Sequence, residues 1–128
     1  RRDVAALLKA FDVFVLTSQW EGLPCAILEA RAGRIPIVAT RVGGAAEAIV
    51  EGIQGTLCPA GDVRAMAERV CQILDDERFR ADLRAGMQEL PEEFTIQETL
   101  KQYQSIYAYL LHATRPSEDV MKLQPNRL

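Results

Sequence analysis

The sequence predicts an α/β domain of the Rossmann-like class: part of a doubly wound parallel sheet, about three strands, with helices on both faces. Three observations carry this. The runs 11–18 (FDVFVLTS), 35–40 (IPIVAT) and 56–59 (TLCP) are short and mostly apolar, the pattern of strands covered on both sides. Stretches of helix formers separate them, the alternation that parallel strands need for their crossovers. The breaks fall on Gly33, Gly43-Gly44, Gly52, Gly55 and the Pro59 to Gly61 segment, where turn chemistry belongs.

Each element has its own signal. Residues 3–10 put Val4, Leu7 and Leu8 at helical spacing ahead of the first strand. Pro24 suits a first helical turn, good helix formers continue to Ala32, and Gly33 stops that helix. After the second strand and the Val42-Gly43-Gly44 turn, AAEAIV at 45–50 is again helical. Asp62 is placed to cap a helix whose Val63, Met66, Ala67, Val70, Ile73 and Leu74 form one apolar stripe. Past Asp75-Asp76, Phe79, Leu83, Met87 and Leu90 share a helix face that ends at Pro91. Thr95 and Glu98 make a capping box opening a terminal helix, 96–112, with Ile96, Leu100, Tyr103, Tyr107, Leu110 and Leu111 on one stripe. Residues 113–128 read as a loose tail. No linker divides residues 1–112. The Val13 to Leu16 strand reads as central and paired on both sides, so the sheet is expected to extend beyond this chain.

Composition bounds the function. The 128 residues carry 15 Lys plus Arg against 18 Asp plus Glu, a net charge of −3, which excludes nucleic-acid binding by bulk charge. Cys25, Cys58 and Cys71 are odd in number, scattered and set among apolar residues, with His112 the only histidine. That pattern predicts buried thiols, a reducing cytoplasmic setting and no zinc site. No run approaches the roughly 20 apolar residues of a membrane span. His112, near a helix end, reads as a cation for the helix dipole and takes no catalytic role.

In open parallel sheets ligands sit beyond the carboxyl ends of the strands, which points to residues 17–24, 41–45 and 59–62. The first segment precedes a helix start, whose free backbone N–H groups and dipole favour an anion such as phosphate. Glu29 is the one carboxylate on an otherwise apolar stretch, 25–30, and needs a partner. Either Arg34 or Arg41 pairs with it, or it accepts ligand hydroxyls. Glu21, eight residues earlier, is by itself a solvated turn residue or a helix-dipole partner. Together the two glutamates could face one cleft.

The run from Ser18 to Thr40, with Glu21 and Glu29 at its heart, resembles the E-x7-E segment of retaining GT-B glycosyltransferases of the family 4 type. The likeness continues through Val42-Gly43-Gly44-Ala45-Ala46-Glu47, similar to that family's G-G-x-x-E stretch, then Gly55-Thr56-Leu57, Gly61-Asp62 and the end of the terminal helix at Ile106-Tyr107. It covers about residues 3–112. The resemblance implies the C-terminal portion of a nucleotide-sugar-binding domain. On the matching positions, Glu29 would accept the ribose hydroxyls and Glu21 would hold the transferred sugar as the catalytic carboxylate. Gly22, Leu23 and Cys25 would face sugar and diphosphate, the helix dipole stabilising the departing phosphate. Gly43 and Gly44 serve a tight turn and are candidates for donor contact, and Arg41 is a candidate phosphate partner. Pro24, where many relatives have glycine, cannot donate a hydrogen bond.

The implied reaction is sugar transfer with retention, without metal or other cofactor, and the chain has no Asp-x-Asp. The implied partners are a nucleotide sugar and an N-terminal acceptor domain outside this chain. Any peripheral membrane association would come from outside it too. The family's basic diphosphate clamp lies upstream of Arg1, so the resemblance implies a chain starting inside the donor domain and inactive alone. The alternatives are a non-catalytic remnant or interaction module docking through the 96–111 stripe, and a GT-B sugar-nucleotide epimerase, which fits the E-x7-E series less well. A receiver-type signalling domain fails, because strand 13–16 leads into Thr17-Ser18 and not an Asp pocket.

Overall fold

A computed structural model of the chain describes residues 2–87 and 92–113. The chain falls into two compact units, Arg1–Leu90 and Pro91–Leu128. The tail beyond Ala113, Leu90 with Pro91, and the side chain of His112 lie outside the described residues.

The first unit runs α1 (Val4–Leu8), β1 (Phe14–Leu16), α2 (Cys25–Ala32), β2 (Ile37–Thr40), α3 (Ala45–Ala48), β3 (Gly55–Cys58), α4 (Val63–Asp75) and α5 (Glu77–Gly86). The three strands are parallel in the order β1-β2-β3, with Phe14 opposite Ile37 and Ile37 opposite Gly55. Strand side chains alternate between faces. Phe14, Leu16, Ile37, Ala39 and Leu57 pack with α1, α2 and α3 residues such as Leu8, Ile27, Ala30 and Ala45. Val38 and Cys58 pack with Met66, Ile73 and Leu83 of α4 and α5. Helices therefore cover both faces, as the fold class requires.

The strands are shorter than the apolar runs that announce them. Pro36 has no N–H to donate; its carbonyl takes Phe14 N–H at 2.8 Å, and the β1–β2 ladder starts there. The central strand is β2, all four of its residues buried. Among the described residues β1 pairs with β2 on one side only, and Val15 is 40% exposed; the second partner expected for residues 13–16 belongs to a part of the sheet outside this chain. The helix read at 45–50 ends at Ala48, because Ile49 turns extended and buries its side chain in the core.

Asp62 caps α4 as expected, its Oδ1 accepting from Ala65 N–H at 2.9 Å, and Asp76 caps α5 through Phe79 N–H at 2.9 Å. The α4 stripe is only partly core. Met66 and Ile73 are buried, but Val63 is 78% exposed at the start of the helix. Helix α5 ends at Gly86, ahead of Leu90.

In the second unit a 3-10 turn (Glu92–Phe94) leads into α6 (Ile96–Ala113). Half of the expected capping box forms: Glu98 N–H donates to Thr95 Oγ1 at 3.3 Å. The Thr95 N–H goes to Glu92 O at 2.9 Å, and the Glu98 carboxylate takes Lys101 at 3.1 Å. Among the described residues no helix is long and apolar enough to cross a membrane.

All three cysteines are free, and only Cys58 is buried; Cys25 opens α2 and Cys71 lies on an exposed side of α4. Each cysteine has at least one apolar neighbour in sequence, but a helix turns successive residues to different sides. Burial pushes the Cys58 thiol above its ordinary range, outweighing the nearby Arg69. The unfolded chain then loses this proton at lower pH than the folded one, so the stabilisation is complete below the unfolded thiol's pKa of about 8.5 and is lost as pH rises through the folded value. Urea unfolding between neutral and alkaline pH should show a stability decline that is smaller in Cys58→Ala; equal declines would contradict the assignment.

Candidate functional site

Parallel strands end at one edge of the sheet, so the segments leaving β1 and β2 lie side by side. The segment after β1, residues 17–24, is anchored on the segment after β2 at two carbonyls. Buried Thr40, the last residue of β2, donates its hydroxyl to Ser18 O at 2.5 Å. The N–H of Gly44 donates to Gly22 O at 2.9 Å. This bond needs backbone-to-backbone approach that side chains would prevent. A Cβ on Gly43 would fall on the Glu21 carbonyl oxygen, and one on Gly44 would sit 2.5 Å from the Gly22 oxygen. Gly43 also holds φ at +42°, a left-handed conformation that glycine adopts without penalty. The sequence shows the two glycines as a turn. Their tie to the E-x7-E loop was missed, and the only signal for it is their position after a strand neighbouring that loop.

The anchored loop delivers the chain into α2. Pro24 is the N-cap and no side chain caps the helix. Ile27 N–H reaches Pro24 O at 3.0 Å, while the N–H groups of Leu23, Cys25 and Ala26 have no acceptor among the described residues. Leu23 and Cys25 are exposed. Free N–H groups gathered at the positive end of a helix dipole form a site for an anion.

The two glutamates flank this helix end in different surroundings. Glu21, half-buried, accepts a 2.6 Å hydrogen bond from Ser18 Oγ. Glu29, on the second turn of α2, lines a cavity of about 220 Å³ with Val4, Ala5, Leu8 and Lys9 around α1. No side chain among the described residues bonds its carboxylate. Neither of the two cavities described holds both glutamates. Of the two alternatives for Glu29, pairing with Arg34 or Arg41 is not seen among the described residues: Arg41 bridges Glu51 at 2.7 Å, and Glu51 also accepts from Leu57 N–H at 3.1 Å. Arg41 therefore stands at the site's edge with its charge already matched.

Arg31 carries no functional signal in the sequence and is 4% exposed, its guanidinium donating to Ala48 O at 2.9 Å and tying α2 to α3. Past β3, Pro59, Gly61 and Asp62 border a second cavity of about 380 Å³, walled by Val63, Met66, Val70 and Cys71 of α4. Its walls are mostly apolar, unlike a phosphate site. The described residues contain no group of three His, Cys, Asp or Glu side chains that could hold a metal ion.

Comparison with known proteins now bears on this geometry. The family model described as "Glycosyl transferases group 1" matches residues 1–89. The chain belongs to that family. An N-acetyl-alpha-D-glucosaminyl L-malate synthase of Bacillus anthracis is 36% identical over 106 residues, 82% of this chain and 28% of that protein. A glycogen synthase of Mycobacterium tuberculosis is 33% identical over 82% of the chain and 26% of its own length. The chain thus spans about a quarter of these curated relatives. Crystal structures of Anabaena HepE with UDP, with UDP-glucose, and with UDP and glucose superpose at a TM-score of 0.66 and 29% identity, over 69% of this chain and 24% of that one. The sucrose-phosphate synthase of Thermosynechococcus elongatus gives 0.72 at 26% identity, over 87% of this chain and 28% of that one. The α/β Rossmann-like class is thereby established within a glycosyltransferase family, and a structural neighbour binds UDP and UDP-glucose.

The glycine approach can be weighed directly. Gly43→Ala and Gly52→Ala both place alanine at positive φ, but a Cβ at Gly52 meets nothing within 4 Å. Urea denaturation should show Gly43→Ala losing about 1–3 kcal/mol more than Gly52→Ala. Equal losses would mean that the loop is not held by this contact.

Proposed function

We propose that this chain is the donor-binding portion of a retaining glycosyltransferase that moves a sugar from a nucleoside-diphosphate sugar to an acceptor hydroxyl without a metal ion. The observation that carries the reading is the set of N–H groups of Leu23, Cys25 and Ala26 that have no acceptor among the described residues, at the start of α2, which no side chain caps, with Glu21 at the adjoining turn. Gly22, Leu23 and Cys25 face the sugar and diphosphate. As the bond from anomeric carbon to phosphate breaks, negative charge grows on the leaving diphosphate, and preorganised N–H groups with the α2 dipole stabilise it more than the bound donor. Glu21 holds hydroxyls of the transferred sugar. Glu29, one turn and more down the helix, takes the ribose hydroxyls, which its carboxylate, bonded by no side chain among the described residues, is suited to accept. Separate surroundings for the two glutamates fit this division, because sugar and ribose lie at opposite ends of the diphosphate.

Gly43 and Gly44 act chiefly by holding the loop in place, and Arg41 reaches phosphate only by exchanging away from Glu51. The acceptor domain and further basic phosphate ligands are assigned to parts of the protein outside this chain, which alone does not turn over. Three free cysteines support a reducing, cytoplasmic setting.

In the longer enzyme, Glu29→Ala should weaken nucleoside-diphosphate binding by about tenfold or more, the loss of hydrogen bonds to a charged acceptor. Glu21→Ala should mainly lower kcat, by about a hundredfold. Calorimetry and initial rates separate the two; unchanged values in both variants, or steady release of nucleoside diphosphate by this chain alone, would contradict the reading.

A further inference from the structure

We propose that Trp20 is a stacking platform for a pyranose ring at the point of transfer, and so a specificity-determining residue of the site. The inference rests on the donor-site reading above. Trp20 is 83% exposed, the most exposed large apolar residue among those described. An aromatic side chain left in water forgoes the stabilisation of burying some 150–250 Å². The backbone that carries it is fixed on both sides, by the Thr40 hydroxyl on Ser18 O and the Gly44 N–H on Gly22 O. The indole is therefore presented from an anchored turn, next in sequence to the carboxylate assigned to the sugar.

Its neighbours in sequence suit a sugar ring. One face of a pyranose offers C–H groups, rimmed by hydroxyls. An indole face supplies a flat, electron-rich apolar surface for the former, and the flanking Gln19 amide and Glu21 carboxylate can bond the latter. Nucleotide binding needs neither, since Glu29 and the α2 N–H groups serve ribose and diphosphate. Trp20 thus reads the sugar and leaves the nucleotide to its neighbours. The ring belongs either to the donor or to the acceptor, and the same chemistry serves both.

The longer enzyme, which supplies the acceptor domain and the further phosphate ligands, is titrated with UDP, with UDP-glucose, and with glucose added to the UDP complex; calorimetry measures binding, and the difference in emission between the parent and Trp20→Phe reports on Trp20. The inference expects UDP to bind with little change in emission. A change with UDP-glucose assigns the platform to the donor ring, and a change only when glucose joins UDP assigns it to the acceptor ring. Trp20→Ala should leave UDP affinity intact and weaken the responding sugar by about threefold to tenfold, the worth of one aromatic contact. If UDP binds but neither sugar moves the emission and Trp20→Ala binds both as the parent does, the inference is wrong and the donor-site reading stands. If neither UDP nor ADP nor GDP binds, the donor-site reading fails and takes the inference with it.

Discussion

The hydrogen bond from Gly44 N–H to Gly22 O, at 2.9 Å, is the constraint on which the rest of the site depends. It joins the loops leaving two adjacent parallel strands, and it exists because residues 43 and 44 have no side chains to hold those loops apart. With the Thr40 hydroxyl on Ser18 O, it fixes the backbone that carries Trp20 and Glu21 and sets where α2 begins. A helix N-terminus in a mobile loop would offer the same N–H groups at an ordering cost with every binding event. Here that cost is met during folding.

The layers of the fold explain why the anchor can be so slight. Strand β2 is buried along its whole length, with β1 and β3 on either side, so the ends of the three strands are set by the core. Ile37 and Ala39 lock the α2 and α3 face, and Val38 locks the α4 and α5 face. Two short hydrogen bonds then suffice to place the loop, because the strands have already brought it to within reach. Arg31 adds a further tie through Ala48 O, joining the two helices that follow the anchored loops.

The fold class was legible because period and punctuation agreed: apolar runs, helix formers between them, and glycine or proline at the joins. Capping at Asp62 was equally plain, since it depends on local residues only. The order of the three described strands was not legible, because 13–16 and 37–40 are both apolar and only tertiary pairing sets β2 between β1 and β3. The half-formed capping box at Thr95 has a local cause, the competing bonds of Thr95 N–H to Glu92 O and of Lys101 to the Glu98 carboxylate, whereas the exposure of Val63 and Cys25 depends on neighbours distant in sequence, which decide which groups are covered. At the site, Glu21, Glu29 and the helix start were visible as residue types at a spacing. The Arg41–Glu51 pair and the glycine contacts were invisible, since each links segments whose proximity exists only once the sheet has formed.

The central claim is that the anchored turn presents the α2 N–H groups to a diphosphate. Amide resonances of the chain followed through a UDP titration test it most directly. The account predicts that Leu23, Cys25 and Ala26 show the largest shifts and gain protection from exchange, while Val63, Met66 and Val70 around the apolar cavity stay unchanged. Binding with the largest shifts at the α4 cavity and a silent 23–26 segment would contradict it.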